Sequence, residues 1–353
     1  MSSVKNSNLN SIAQGIEIML SGVRGIPDHL SQGAELAEGI AEQLQGSIKR
    51  ITLCALGGSA FPGDLLRVIT DPMNVPLTVS RSYEVQHGSL STEDLVIACS
   101  FSGNTEESLS SLDDALSRGA QVVIICAGGK LEQLAQERGL PLIKLSKPTP
   151  TFQPRAGSGF FIGALSALLE DLGFFEGARA RLTAVGEELK GLMNVQEEAS
   201  EIAKALEGTI PVFYAPPPFA ESLGRVVKIK INENAKSPAF WNEVPEFNHN
   251  EMVGYTRLHE SLTAVFFTDP LATPRMKTRI IQSAQTLNDY GVKTLIVPIK
   301  EASDRLTSLL ATLYLFDVVS CEIALKAGVD PNPVAMVEDF KAALGPFNGS
   351  DQA

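Results

Sequence analysis

The chain has no run of lysine or arginine and no basic stripe interleaved with aromatics, and its formal net charge is −12. Nucleic-acid backbones are held chiefly by clustered cationic side chains, so that class of partner is excluded. An acidic protein can still bind one phosphate through backbone N–H groups. Cysteine is scarce as well: Cys54, Cys99, Cys126 and Cys321 sit in apolar runs without CxxC spacing. They read as small reduced core residues of a cytosolic protein. The four histidines show no HxxH or HxxxH spacing, so the chain lacks a metal-cage pattern. No GxGxxG closes a strand and no lysine fills a Walker position, which removes the dinucleotide and nucleoside-triphosphate loops. The expectation is therefore no metal and no cofactor. The N-terminal stretch MSSVKNSNLNSIAQGIEIML is too polar for a signal peptide, and no apolar run is expected to span a bilayer. A cytoplasmic protein without a membrane partner is expected.

What is present is apolar bulk. With 353 residues and 44% hydrophobic content, the chain exceeds what one core normally holds, so two domains are expected. Residues 8–49 have helical spacing broken at Gly25-Ile26-Pro27, which predicts two helices packed as a preface. Short apolar runs at 51–56, 76–80, 95–99, 122–127 and 142–145 predict buried strands, with helices at 60–70 and 106–118. Strands alternating with helices at this spacing predict a parallel doubly wound α/β sheet. The proline-rich SKPTPTFQP (146–154) breaks the pattern; helices are then expected over 155–173 and along the charged stretch 178–206. A second α/β unit is expected from about Gly208, with strands at 210–214, 262–269 and 295–298 and helices at 219–232, 275–290 and 303–328.

Polar segments interrupt this apolar frame. GGSAFPGD (57–64) joins a strand to a helix; it is either an ordinary turn or a place where backbone approaches a ligand. SFSGNTEES (100–108) sets the hydroxyls of Ser100, Ser102 and Thr105 in one loop at a helix start. One hydroxyl there would be a cap, whereas three make a neutral phosphate cradle that needs no arginine. Arg155 lies among small residues, where it can polarise a substrate oxygen; Arg81 in SRSYE has a weaker case. The stretch 232–251, NENAKSPAFWNEVPEFNHNE, gathers four acidic residues, five asparagines, a histidine and the only tryptophan. That composition fits neither deep core nor plain surface. It leaves Glu233 as either a solvated glutamate or a base, and His249 as either structural or an acid–base group. A carboxylate, an imidazole and hydroxyl-rich loops suit proton transfer on a phosphorylated sugar.

Taken together, GGSA..GD at Gly57, S.SGNTEE at Ser100, PRA at Pro154, NENAK at Asn232 and NHNE at Asn248 resemble the SIS (sugar isomerase) domain family. Within it they resemble most the bifunctional phosphoglucose/phosphomannose isomerases, and GVDPNPVAMVEDFKAAL from Gly328 extends the likeness over nearly the whole chain. The resemblance implies two SIS subdomains, each a five-stranded parallel sheet flanked by helices, and a homodimer with shared active sites. The expected layout is N-terminal helices at 1–49, a first SIS subdomain at 50–177, a connecting helix at 178–207 and a second SIS subdomain with the C-terminal helix at 208–353. By the same resemblance Gly57, Gly58 and Ser59 lie at the sugar, and Ser100, Ser102 and Thr105 hold the phosphate. Arg155 stabilises an enediolate, Glu233 is the base, His249 of a partner subunit opens the ring and Lys341 assists. The implied activity is aldose–ketose isomerisation of glucose 6-phosphate and mannose 6-phosphate with fructose 6-phosphate, in glycolysis and gluconeogenesis. The chain departs from the family at Phe61-Pro62 and Gly157-Ser158, where Pro62 is expected to shift the sugar-side turn. The alternatives are another SIS sugar-phosphate isomerase or a sugar-phosphate sensor without catalysis.

Overall fold

A computed structural model describes residues 2–69, 75–86, 88–257 and 260–347. In chain order the helices and strands are α1 (Ser2–Arg24), α2 (Ile26–Glu35), β1 (Arg50–Cys54), α3 (Phe61–Ile69), β2 (Leu77–Ser80), β3 (Asp94–Ser100), α4 (Glu106–Ser117), β4 (Gln121–Cys126), α5 (Gly129–Arg138) and β5 (Leu142–Lys144). They continue with α6 (Ser158–Asp171), α7 (Ala178–Gly191), α8 (Gln196–Ala205), β6 (Ile210–Ala215), α9 (Val226–Asn234), β7 (Phe240–Glu243), β8 (Leu262–Thr268), α10 (Pro274–Asp289), β9 (Lys293–Pro298), α11 (Arg305–Ala327) and α12 (Ala335–Leu344). The expected end of the helix at Thr70 lies outside the described residues.

Two compact units result. One comprises Arg24–Glu187 with Pro333–Ala353, the other Met1–Val23 with Glu188–Asn332. This partition differs from the consecutive layout expected. The two N-terminal helices do not form one preface, because α1 falls with the second sheet and α2 with the first. The C-terminal helix falls with the first unit, not the second. Amphipathic spacing shows that a helix has an apolar face, but it does not say which core receives it.

The first unit holds a five-stranded parallel sheet in the order β2-β1-β3-β4-β5. Ile51 pairs with both Leu77 and Leu95, which fixes β1 and β3 side by side. All seven residues of β3 are buried, as expected of a central parallel strand covered on both faces. Cys54, Val96, Ala98, Leu112, Ile124 and Cys126 share one core cluster, so these cysteines are packing residues. Burial pushes the Cys54 thiol up to about 12. α6 packs on α2 with almost no gap: a Cβ on Gly33 would lie 2.3 Å from the Phe160 carbonyl oxygen, and one on Gly163 would lie 2.1 Å from that of Leu30.

The second unit holds a parallel sheet of four described strands, β7-β6-β8-β9, rather than the five expected. It repeats the order of the first sheet without its last strand. α11 is buried along most of its length, and Asp317 on it pairs with Lys230 of α9 at 2.5 Å. By length and composition α11 is apolar enough to cross a membrane, contrary to the expectation that no such run exists, and 78% of that window is buried inside the fold. The helical stretch 178–206 is two helices, and 219–232 opens with a π-helical turn at Ala220–Arg225.

Candidate active site

In a doubly wound sheet the strand order reverses at one place, and the loops leaving the carboxyl ends of the strands there form a crevice. In the first unit that place lies between β1 and β3. The loops leaving these strands carry Gly57, Gly58 and Ser59 on one side and Ser100 to Thr105 on the other. The chemistry-bearing motifs therefore occupy the position where this architecture binds ligands.

The two loops are bonded to each other. The Phe101 N–H donates to Ser59 Oγ at 3.0 Å. Gly57 turns the chain with φ +51° and is followed by Ser59 N–H to Leu56 O and Ala60 N–H to Gly57 O, both 3.1 Å. Pro62 sits in the first turn of α3, where a missing N–H costs nothing, and this turn remains hydrogen-bonded. A third loop, Pro154–Gly157, joins them. A Cβ on Gly58 would meet Arg155 Cα at 3.8 Å, and a Cβ on Gly157 would strike the Phe101 ring at 2.6 Å. Glycine at 157 thus lets the arginine loop lie directly on the serine loop. Arg155 itself is half-buried. Arg81 is engaged elsewhere, bonded at 2.5 Å to the buried carboxylate of Asp64.

Within the serine loop Ser100 is a hub. Its Oγ lies 2.8 Å from Thr105 Oγ1 and 3.4 Å from Ser102 Oγ, and accepts from the Gly103 N–H at 3.1 Å. Ser100 is 1% exposed, whereas Ser102 is exposed and accepts from the Asn104 N–H at 3.2 Å. Thr105 occupies the N-cap position of α4, yet its side chain bonds none of the first-turn N–H groups. Its hydroxyl joins Ser100 instead, and the positive end of the helix dipole faces the same loop. Gly103 has φ +70°, and a Cβ there would lie 1.7 Å from the Gly128 carbonyl oxygen. The Gly128-Gly129 turn thus props the loop from behind, helped by Asn104 Oδ1 accepting from the Lys130 N–H at 3.0 Å. Sequence reasoning missed this prop. The paired glycines after β4 were its only signal. The ammonium groups of Lys147 and Lys144 stand 3.8 and 4.0 Å from where a Gly128 Cβ would be.

Glu233 and His249 belong to the second unit, and Lys341 to the C-terminal helix α12. Glu233 lies in the last turn of α9, flanked by two anchored asparagines. Asn232 Nδ2 donates to Ser237 O at 2.8 Å and Asn234 Nδ2 to Ser320 Oγ at 3.0 Å. Lys236, in a left-handed conformation at φ +54°, closes the turn by donating to the carbonyls of Glu233 and of Pro331. His249 ends the short helical turn Glu246–His249 after β7 and is exposed. Because β7 runs parallel to β6 and α9 is the crossover between them, Glu233 and His249 flank opposite ends of β7. Lys341 is exposed on α12 and paired with Glu338 at 2.8 Å.

Among the described residues no group of three or more His, Cys, Asp or Glu side chains is arranged to hold a metal ion. A cleft of about 640 Å³ is lined by Glu35, Glu38, Glu42, Asp171 and Arg179 and carries none of the candidate residues.

Residues 195–344 match the family described as bacterial phospho-glucose isomerase C-terminal SIS domain, and residues 47–150 match the SIS domain family. A bifunctional phosphoglucose/phosphomannose isomerase from Caldicellulosiruptor bescii is 30% identical over 343 residues, covering 92% of this chain and 98% of that protein. One of the same name from Aquifex aeolicus is 33% identical over 312 residues, covering 87% and 93%. Among solved structures, a hypothetical protein from Thermus thermophilus superposes with a TM-score of 0.75 at 14% identity, covering 97% of this chain and 95% of that one, a likeness of fold alone.

Proposed function

The chain belongs to the bifunctional phosphoglucose/phosphomannose isomerase family of SIS-domain proteins, and on that premise we propose how its residues carry out the reaction. It is an aldose–ketose isomerase of sugar phosphates, interconverting glucose 6-phosphate and mannose 6-phosphate with fructose 6-phosphate. The observation that carries the site assignment is the hydroxyl cluster of Ser100, Ser102 and Thr105 at the switch point of the first sheet. A phosphate there accepts from hydroxyls and from the N-terminal N–H groups of α4. Gly57, Gly58 and Ser59 bring backbone up to the sugar.

His249 passes a proton from O1 to O5 and opens the ring. Glu233 removes the proton on C2, and the electron pair moves into the C1–C2 bond while the C1 carbonyl becomes an enediolate oxygen. Arg155 stabilises that charge. The O2 hydroxyl proton passes to O1 and Glu233 delivers its proton to C1, so that C2 is oxidised to the ketone and C1 reduced to the alcohol. The intermediate has no stereocentre at C2, which lets one base serve both aldoses. Lys341 assists ring opening. The placement of Glu233 and His249 at opposite ends of β7 supports a homodimer in which one subunit supplies His249 to its partner's site. The enzyme works in the cytoplasm, in glycolysis and gluconeogenesis.

The test is a coupled assay of the purified, chelator-treated protein with each aldose phosphate, reading fructose 6-phosphate. Turnover of both is expected, and Glu233→Gln is expected to lose roughly 10²–10⁴-fold in kcat, the usual worth of a positioned acid–base group, while still binding sugar phosphate. Binding without turnover of either substrate by the unmodified protein would replace this reading with that of a sensor or an isomerase for another sugar phosphate.

A further inference from the structure

The turn that carries His249 is held from both sides, and the histidine is the one side chain of the NHNE segment that makes no hydrogen bond or ion pair among the described residues. On one side Asn248 Nδ2 donates to Ser283 Oγ of α10 at 2.7 Å, and Asn248 Oδ1 accepts from Arg279 Nη1 at 3.2 Å. On the other, Asn250 Nδ2 donates to Glu246 Oε1 at 2.5 Å and Asn250 Oδ1 accepts from the Glu251 N–H at 2.5 Å. The strongest hold is the Glu251 carboxylate. One of its oxygens accepts from the Tyr214 hydroxyl on β6 and the other from Asn242 Nδ2 on β7. Tyr214 is fully buried and its oxygen also lies 2.8 Å from the Tyr255 hydroxyl. Because the Tyr214 proton is given to a carboxylate, Tyr255 donates to Tyr214. Burial raises both phenols, Tyr255 to about 12, so each stays protonated and able to donate at any working pH. Asn242 cannot turn its amide around at no cost, since its Oδ1 already accepts from the Glu243 N–H at 2.8 Å.

A half-buried carboxylate bonded to two adjacent strands through a phenol and an amide is far more than a surface turn needs. We infer that Glu251 is a positioning residue for His249: it pins the turn to β6 and β7 so that the imidazole is presented rigidly to the ring oxygen of the substrate. This rests on the assignment of His249 to ring opening made above. It adds a determinant that acts through His249 without touching substrate. Side-chain displacements of about 1 Å at a catalytic group cost on the order of 10² in rate.

The experiment is a double-mutant cycle on the full-length protein, read as kcat and KM for glucose 6-phosphate. Glu251→Ala is expected to lower kcat roughly ten- to a hundredfold with KM within about twofold, and Glu251→Gln, which keeps one acceptor, to lose less. In the His249→Ala background, Glu251→Ala should add less than about twofold, because residues acting as a unit are non-additive. Amide exchange at residues 247–251 should quicken in Glu251→Ala while the strands β6 and β8 keep their protection. Should Glu251→Ala fail to fold, Asn242→Ala removes one of the same bonds and carries the same prediction. Unchanged kcat in the Glu251 and Asn242 variants, or losses that multiply fully with His249→Ala, would overturn the inference. A His249→Ala enzyme of unaltered kcat would instead sink the ring-opening assignment, and the positioning role with it; that outcome is read in the single variant and is distinguishable from the others.

Discussion

Ser100 and Ser102 lie two residues apart in one loop, yet their removal should have separable effects. Ser100 is buried and bonded to the Thr105 hydroxyl and the Gly103 N–H. The Gly103 N–H also reaches the Ser100 carbonyl at 3.1 Å, so Ser100→Ala leaves it a partner. Two ordinary hydrogen bonds at about 0.5–1.5 kcal/mol each then set a stability loss of about 1–3 kcal/mol. For a unit of this size that lowers the melting temperature by roughly 2–12 °C. Ser102 is exposed and bonded only to its neighbour's N–H and, loosely, to Ser100. Its removal should leave stability within about 0.5 kcal/mol. A hydroxyl bonded to a charged phosphate is worth about 1.5–3 kcal/mol, so Ser102→Ala should raise KM roughly ten- to a hundredfold. Melting curves with and without inorganic phosphate, paired with the coupled assay, separate the two. The reasoning is refuted if Ser102→Ala keeps its KM within about twofold, since the exposed hydroxyl then does not meet the phosphate. It is equally refuted if Ser100→Ala melts with the unmodified protein, since Ser100 is then no hub.

Gly103→Ala should destabilise the first unit and abolish phosphate protection in the same melting assay. The left-handed backbone costs a side chain about 1–2 kcal/mol, and the added Cβ would overlap the Gly128 carbonyl. His29 gives a pH prediction. It is buried, stacked on Phe160 at 4.1 Å, and desolvation lowers its pKa to about 4 against a small opposing pull from Asp28. The unfolded chain therefore binds a proton that the folded chain refuses between about pH 6.5 and 4. Stability is complete above that window and falls by about 3 kcal/mol as pH drops through it. Denaturation of His29→Phe, which keeps the stack, should show that much less acid sensitivity; an unchanged slope would put the titration elsewhere.

The first sheet was legible because β1 and β3 are apolar runs ending in glycine–hydroxyl turns, a pattern with few other readings. α5 was not, since it begins on two glycines and the nine residues after them carry four charged groups, which reads as loop. β7 escaped for a related reason: FWNE is a four-residue edge strand inside the polar site segment, and none of its residues is fully buried. The site's residue types were readable and its bonds were not. Nothing in SFSGNT says that Ser100 is the hub or that Thr105 forgoes capping to join it, because both follow from how β3 delivers the loop to the Gly128-Gly129 turn. Glu251 counted among the acidic residues of its segment without a role, because its partner Tyr214 lies 37 residues away on β6 and Asn242 sits on the unrecognised strand β7.

The same strand order occurs in both sheets, yet the two switch points are lined by different chemistry. In the second sheet the corresponding corner lies between β6 and β8. The loop leaving β6 carries Phe219, and the one leaving β8 carries Asp269, a buried carboxylate. Arg305, at the start of α11, bridges them: its guanidinium lies 5.6 Å from the Phe219 ring centre and 3.7 Å from Asp269 Oδ2. The carboxylate also accepts from the Leu271 N–H at 2.8 Å, which ties down its own loop. The cation thus lies between an aromatic face and the buried carboxylate whose charge it balances. In the first sheet the equivalent corner is lined by the hydroxyls of Ser59, Ser100 and Thr105 and by the glycines of its two loops. In the second unit Glu233 and His249 flank the edge strand β7 on turns anchored by asparagine side chains.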